Sequence, residues 1–180
     1  GGKYDDSVFF GLQAYLFSVL QRRVTQVEVD FAKKFWEAHG EPFPYEEWTY
    51  IVEEYGGRLP LKVESLDEGT LVPSNVPMVL ITNTDPKCFW LTTWVETSML
   101  RAVWYPTTVA SKSFNVRKTI KNYLEKSGDV SGLPFKLHDF GSRGVSSNQS
   151  AVLGGLAHLA TGAAGTDTAI SIIGAHFWYG

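Results

Sequence analysis

The chain has 180 residues, with 16 Lys and Arg against 19 Asp and Glu and a formal net charge of −3. Hydrophobic residues make up 44% and aromatics 14%, which is enough apolar surface to offset chain entropy and excludes a disordered polymer. Without a basic block the charge excludes a nucleic-acid partner held by phosphate neutralisation, though a few focused cations suffice for a phosphate-bearing small molecule.

No apolar run reaches the length of a membrane span, and no charged-then-apolar leader is expected. Cys88 is the only cysteine, so no internal disulfide forms, which favours a reducing, cytoplasmic compartment. His39, His138, His158 and His176 have no spacing that pairs two on one helix face, so structural zinc is not expected.

Val8, Phe9, Leu12, Tyr15, Leu16, Val19 and Leu20 recur at helical spacing and predict an amphipathic helix from about Asp6 to Arg22. Thr25 and Glu28 have the form of a capping box ahead of a second helix, with Val27, Phe31 and Phe35 on its stripe and Gly40 as its stop. Tyr45 to Tyr55 repeats the pattern and ends at Gly56-Gly57. Alternation at Leu59, Leu61 and Val63, a turn at Asp67-Glu68-Gly69 and the run VPMVLIT predict two or three antiparallel strands. NTDP at 83–86 joins a cap to a proline and opens a long helical stretch that Pro106 is expected to kink or split, closed by Gly128.

From Leu133 the texture changes to a short alternating segment, a polar bend, a small-residue helix (AVLGGLAHLA), a bend at GTDT and the apolar AISIIGAHFWYG. This order suggests a parallel α/β unit, in which ligands sit where strands lead into helices. FKLHDFGSRGVSSNQS, at 135–150, lies at that position. A strand over Phe135–Asp139 places polar groups on both faces, Gly141 and Gly144 permit a tight bend around Ser142-Arg143, and Ser146, Ser147 or Asn148 caps the next helix, whose amides attract anions. Spacing alone leaves open whether Asp139 and Arg143 make a structural ion pair or part of a site. His158 reads as a core histidine, the Trp and Phe residues of the earlier helices as core, and Arg101, Arg117 and the Lys residues near 118–126 as a solvated helix face.

KLHDFGSRGVSS followed by GTDT, with FFGLQ at 9–13, NTDP at 83–86, FWLTTWVETSML at 89–100 and WYPTTVA at 104–110, resembles the nicotinamide phosphoribosyltransferase family along nearly the whole chain and in one order. The resemblance implies an α/β type II phosphoribosyltransferase fold, in which an irregular α/β barrel is joined to a helix-rich α+β domain with an antiparallel sheet. Residues 1–131 would belong to that domain, and 132–180 to the first barrel units carrying the base-binding site. Family members are longer at both ends, so the chain resembles an internal segment.

The implied reaction joins nicotinamide to 5-phosphoribosyl-1-pyrophosphate, with Mg²⁺ on the phosphates held mainly by residues outside this segment and no metal ligand within it. By resemblance, Phe140 stacks on the pyridine ring, Arg143 holds the base and the reacting centre, and Asp167 accepts from the carboxamide. Ser146 and Ser147 match positions close to the ribose and phosphates. Phe135 stands where the family commonly has a tyrosine, and Ser142 replaces a bulky aromatic. The second stacking aromatic comes from a partner subunit in the family, implying a homodimer with shared active sites. Nicotinate phosphoribosyltransferase is the alternative, disfavoured by Asp167 and by Gly144 after Arg143; a non-catalytic segment that only binds or assembles is a third reading.

Overall fold

The computed structural model describes residues 3–180. They divide into two compact units, each discontinuous along the chain: the described residues up to Ala14 with Ser65–Met78 and Ser98–Gly180, and Tyr15–Glu64 with Val79–Thr97. Both sides of the sequence division at 131/132 thus contribute to the first unit.

In the first unit, the helix expected from Asp6 begins only at Leu12. Asp6–Val8 is instead a strand, β1, pairing antiparallel with β3 (Leu71–Pro73), Ser7 opposite Val72. Successive amides are already engaged: Val8 donates to Ser111 Oγ at 2.8 Å, Phe9 to the Thr70 carbonyl at 3.0 Å and Phe10 to Thr107 Oγ1 at 3.2 Å. A helix cannot use the same donors, and Gly11 then turns the chain at φ +108° into α1 (Leu12–Tyr15), which continues as a π-helical turn, Leu16–Leu20.

Gly11 also explains how Pro106 is tolerated inside α4 (Leu91–Ser127), which, of the two expected outcomes, a kink or a split, is not split. Pro106 cannot donate to the Ala102 carbonyl. A Cβ on Gly11 would lie 2.7 Å from that carbonyl oxygen and 2.7 Å from Pro106 Cγ, so the bare glycine backbone packs on the defect and the proline ring is buried against it.

After α4 come 3₁₀ turns at Val130–Phe135 and Gly141–Gly144, then α5 (Asn148–Leu159) and α6 (Ile170–Tyr179). The strand expected over Phe135–Asp139 is not formed. Two backbone bonds tie this segment to the loop before α6, Ala164 N to Pro134 O at 3.0 Å and Asp167 N to Asp139 O at 3.2 Å. They are five residues apart on one side and three on the other, so no regular ladder exists. Helices α5 and α6 approach closely because glycines face the contact: a Cβ on Gly174 would lie 2.3 Å from Val152 Cγ1. Val8, Phe10, Ala110, Val152, Leu156 and Ala157 form the buried core, with Ile170 and Trp178 packed on it.

The second unit contains α2 (Gln26–His39), α3 (Tyr45–Tyr55), β2 (Leu61–Ser65) and β4 (Val79–Asn83). The Thr25–Glu28 capping box forms reciprocally, and Gly40 and Gly56 end the two helices in the left-handed conformation. The expected Val27, Phe31 and Phe35 stripe is exposed, at 78%, 70% and 58%, while Val29 is buried. The face toward α3 is chosen by polar contacts instead: Tyr45 donates to Asp30 at 2.8 Å and Gln26 donates to both Asp30 and Tyr45. Strands β2 and β4 pair, and the bonds Leu66 N to Met78 O and Thr84 N to Pro60 O give the antiparallel order. The NTDP motif works as expected: Asp85 caps a 3₁₀ turn, Pro86–Cys88, and its carboxylate also accepts from Tyr50 and Tyr55 at 2.9 and 2.8 Å. Ile51, Cys88 and Leu91 are the core here, with Trp48 and Trp90 packed edge-to-face beside them. No helix among the described residues is long and apolar enough to cross a membrane.

Candidate functional site

The FKLHDFGSRGVSS segment turns twice without forming a strand. Asp139 makes the first turn, its Oδ1 accepting the Gly141 amide at 2.8 Å, a short-range bond that side chains of this length make to an amide two residues on. The 3₁₀ turn Gly141–Gly144 follows with Phe140 at its start, presenting Phe140 at 60% exposure and Arg143 to solvent. Ser147 then caps α5, accepting from the Ser150 amide at 3.1 Å.

Phe140, Ser142, Arg143, Asp167 and Thr168 line one cleft of about 370 Å³. Three of the residues singled out by resemblance, Phe140, Arg143 and Asp167, are therefore brought together. Ser146 and Ser147 lie beside them at the start of α5, outside the cleft lining, and Ser146 Oγ is 3.4 Å from Ser150 Oγ. Phe135 is exposed at the end of the preceding 3₁₀ turn and does not line the cleft. The Asp139–Arg143 ion pair left open by the sequence is not formed among the described residues: Asp139 Oδ2 accepts instead from Thr166 Oγ1 at 2.9 Å, leaving Arg143 to face the cleft.

The cleft combines an aromatic face, a guanidinium and a carboxylate within a half-polar lining. Such a set can sandwich a flat heteroaromatic ring and read a polar substituent on it. His138 adds a group that sequence reasoning did not assign: its Nδ1 lies 3.9 Å from Asp167 Oδ2, and its ring centroid is 6.4 Å from that of Phe140. Thr166 and Thr168 were also missed. The Thr168 amide donates to Thr166 Oγ1 at 3.0 Å, and the Thr168 side chain is buried with its hydroxyl unpartnered. The available signal was the Asp-x-Gly spacing of residues 139–141, which marks a side-chain-closed turn rather than a strand end.

In α5, His158 is 2% exposed, with Nδ1 3.2 Å from Ser113 Oγ. Burial depresses its pKa, with the Asp139 charge opposing. His158 is thus the buried core histidine expected, with Ser113 and the Leu137 main chain as polar neighbours. Arg117 is likewise not a solvated group: it is half-buried, with one guanidinium nitrogen buried and unpartnered. Tyr105, against which a Cβ on Gly154 would lie 2.6 Å from the hydroxyl, has its pKa raised by burial and then by Asp139.

Residues 1–63 match the family model described as the N-terminal domain of nicotinamide phosphoribosyltransferase. Over 181 aligned positions, covering 99% of this chain and 38% of the relative, the chain is 45% identical to the nicotinamide phosphoribosyltransferase of Xanthomonas campestris pv. campestris (strain 8004). It is 31% identical to that of Acinetobacter baylyi (strain ATCC 33305 / BD413 / ADP1), covering 98% of this chain and 37% of the relative. The chain thus spans somewhat over a third of the length of these curated relatives. The crystal structure of human nicotinic acid phosphoribosyltransferase superposes with a TM-score of 0.61 at 16% identity, covering 96% of this chain and 30% of that one, a likeness of fold. With its expected α/β type II phosphoribosyltransferase fold matched and close relatives aligned across nearly all its residues, the chain belongs to the nicotinamide phosphoribosyltransferase family.

Proposed function

We propose that the protein carrying this chain is a nicotinamide phosphoribosyltransferase that joins nicotinamide to 5-phosphoribosyl-1-pyrophosphate in NAD salvage, and that residues 132–180 supply the first barrel units and the base-binding site. The observation that carries this reading is the common cleft of Phe140, Arg143 and Asp167. In the reaction the lone pair of the pyridine nitrogen forms the bond to the anomeric carbon, and the bond to pyrophosphate breaks with its electron pair leaving on oxygen. The nitrogen has no proton to lose, so the protein's task is to position the ring and to stabilise separating charge. Phe140 stacks on the ring, Arg143 supplies positive charge beside the base and the reacting centre, and Asp167 accepts from the carboxamide NH₂ and so fixes ring rotation. Ser146 and Ser147 stand near the ribose and phosphates.

A carboxylate at Asp167 also selects the base. Nicotinate would bring a second negative charge against it, which disfavours binding. Mg²⁺ on the pyrophosphate would neutralise charge on the leaving group. The ion would be held by the substrate's phosphates and mainly by residues outside this segment, as the family resemblance implies. A cytoplasmic location and a homodimer whose partner completes the ring sandwich accompany this reading.

Pyrophosphate release by the full-length protein tests it. Release that requires both nicotinamide and 5-phosphoribosyl-1-pyrophosphate is the expected result. Release with nicotinate in preference to nicotinamide would assign the alternative enzyme, and absence of release with either base would leave only a binding or assembly role. Calorimetric titration of this 180-residue chain asks how much of the base site it contains: saturable binding of nicotinamide but not nicotinate is expected.

A further inference from the structure

We propose that Asp139 is a positioning residue that locks the ring-stacking bend to the Asp167 turn, with the Thr166 hydroxyl as its relay. This deepens the base-site reading above and rests on it for its kinetic consequences.

Each acceptor of Asp139 serves a different part of the cleft. Oδ1 takes the Gly141 amide at 2.8 Å and fixes the turn that presents Phe140 and Arg143. Oδ2 takes the Thr166 hydroxyl at 2.9 Å. The main-chain carbonyl of the same residue takes the Asp167 amide at 3.2 Å. Thr166 Oγ1 in turn accepts the Thr168 amide at 3.0 Å, so the amides on either side of the Asp167 Cα are tied to Asp139, one through its main-chain carbonyl and one through the hydroxyl. Two segments more than twenty residues apart, one carrying the aromatic and the cation and the other the carboxylate, are joined at this single residue.

The geometry calls for two acceptor oxygens at 139. A carboxylate is acceptor-only, and both of its oxygens face donors here. An asparagine presents an NH₂ at one of the two positions, so either the Gly141 amide or the Thr166 hydroxyl loses its acceptor. A hydroxyl is equally specific at 166, because it must accept from the Thr168 amide while donating to Asp139. Serine satisfies both demands and valine neither. Neither residue need touch the base: Asp139 is absent from the lining of the Phe140–Arg143–Asp167 cleft, as is Thr166.

The test uses full-length protein with Asp139→Asn, Thr166→Val, Thr166→Ser and the Asp139→Asn/Thr166→Val pair. In steady-state assays of pyrophosphate release, Asp139→Asn and Thr166→Val each raise KM for nicotinamide about tenfold with kcat changed less than about threefold, as expected when a charge-assisted hydrogen bond that orients the binding groups is lost. Thr166→Ser restores the KM, and the double variant is no worse than the worse single one, because both act through one bond. Hydrogen exchange provides a readout independent of activity: the Gly141 or the Thr168 amide, according to which side of the carboxylate is lost, exchanges faster in Asp139→Asn, and the Thr168 amide exchanges faster in Thr166→Val. Additive KM effects, loss confined to kcat, or unchanged exchange at these amides would overturn the proposal. Absence of turnover in the parent protein would instead defeat the enzyme reading, while the exchange measurements still decide whether Asp139 joins the two segments.

Discussion

The Glu68 carboxylate and the Tyr179 phenol, 111 residues apart in sequence, meet at 2.6 Å. The other Glu68 oxygen accepts the amides of Gly11 and Gln13 at 2.9 and 2.8 Å, so one half-buried carboxylate caps the start of α1 and holds the end of α6. The Tyr179 ring also stacks on Phe10 with centroids 5.5 Å apart.

Tyr179→Phe keeps the stacked ring and removes the hydroxyl alone. It should lower stability by about 1.5–3 kcal/mol in denaturant unfolding, the range for a hydrogen bond to a charged partner. Glu68→Ala leaves two amides and the phenol without their acceptor and should cost more than Tyr179→Phe. Burial, then Glu68, raises the Tyr179 pKa. A raised folded pKa gives stability that is complete below the ordinary tyrosine range and is lost as pH climbs through the folded value. Alkaline unfolding should therefore shift to higher pH in Tyr179→Phe relative to its own neutral stability.

His158 gives the opposite dependence. Its folded pKa is depressed by burial, so its contribution is present above the ordinary histidine value near 6.5 and is lost as pH falls toward the folded value. Unfolding free energy should decline below pH 6.5 with a slope of at most about 1.4 kcal/mol per pH unit from this single proton. Thermal melts of His158→Gln across pH 4.5–7.5 (about this range brackets the titration) should lose that slope. An unchanged slope would place the acid-sensitive group elsewhere. Asp85 cannot supply it in this window, because its lowered pKa affects stability only below the ordinary carboxylate range.

Elements with a complete local signal were legible in the sequence. Thr25 with Glu28, Gly40 and Gly56 specify α2 and α3 because caps act within one turn. The failures have a common cause in distant partners. Val8 and Phe9 fit a helical stripe, but Thr70, Thr107 and Ser111 claim the backbone around them. Val27, Phe31 and Phe35 look like a core face, yet a polar network of Gln26, Asp30 and Tyr45 turns α2 the other way. At the site, resemblance marked Phe140, Arg143 and Asp167, which do share a cleft. The Asp139–Thr166 bond that joins their segments spans 27 residues and has no local signature at Thr166.

Helix packing near the cleft depends on a missing methyl group. A Cβ on Gly155 would fall 1.8 Å from Ser171 Oγ and 2.7 Å from Ser171 Cβ, in a region where Ser171 is fully buried. Gly155→Ala should therefore destabilise by about 1–3 kcal/mol despite the better helix propensity of alanine, because overpacking outweighs it. Ser171→Gly removes both clashing atoms, and the Gly155→Ala/Ser171→Gly pair should recover much of the loss in a double-mutant cycle measured by chemical denaturation. A purely additive result would mean that α5 and α6 separate rather than interlock at this point.

In the proposed function, charge at Asp167 sets the choice between the two bases. Asp167 is half-exposed at the cleft, with His138 Nδ1 3.9 Å away. Against nicotinamide its carboxylate faces an NH₂ donor; against nicotinate it faces a second carboxylate. Asp167→Ala removes the attraction in one case and the repulsion in the other, so both changes move the ratio of kcat/KM values in the same direction. A shift toward nicotinate of at least about tenfold corresponds to about 1.4 kcal/mol, modest for losing a charged partner on one base and a like charge on the other. Phe140→Ala serves as the contrast. Ring stacking is indifferent to the substituent, so this change should weaken both bases by a similar factor and leave their ratio unaltered. Equal ratios in Asp167→Ala and the parent enzyme, measured by competition between the two bases, would remove Asp167 from the selectivity role.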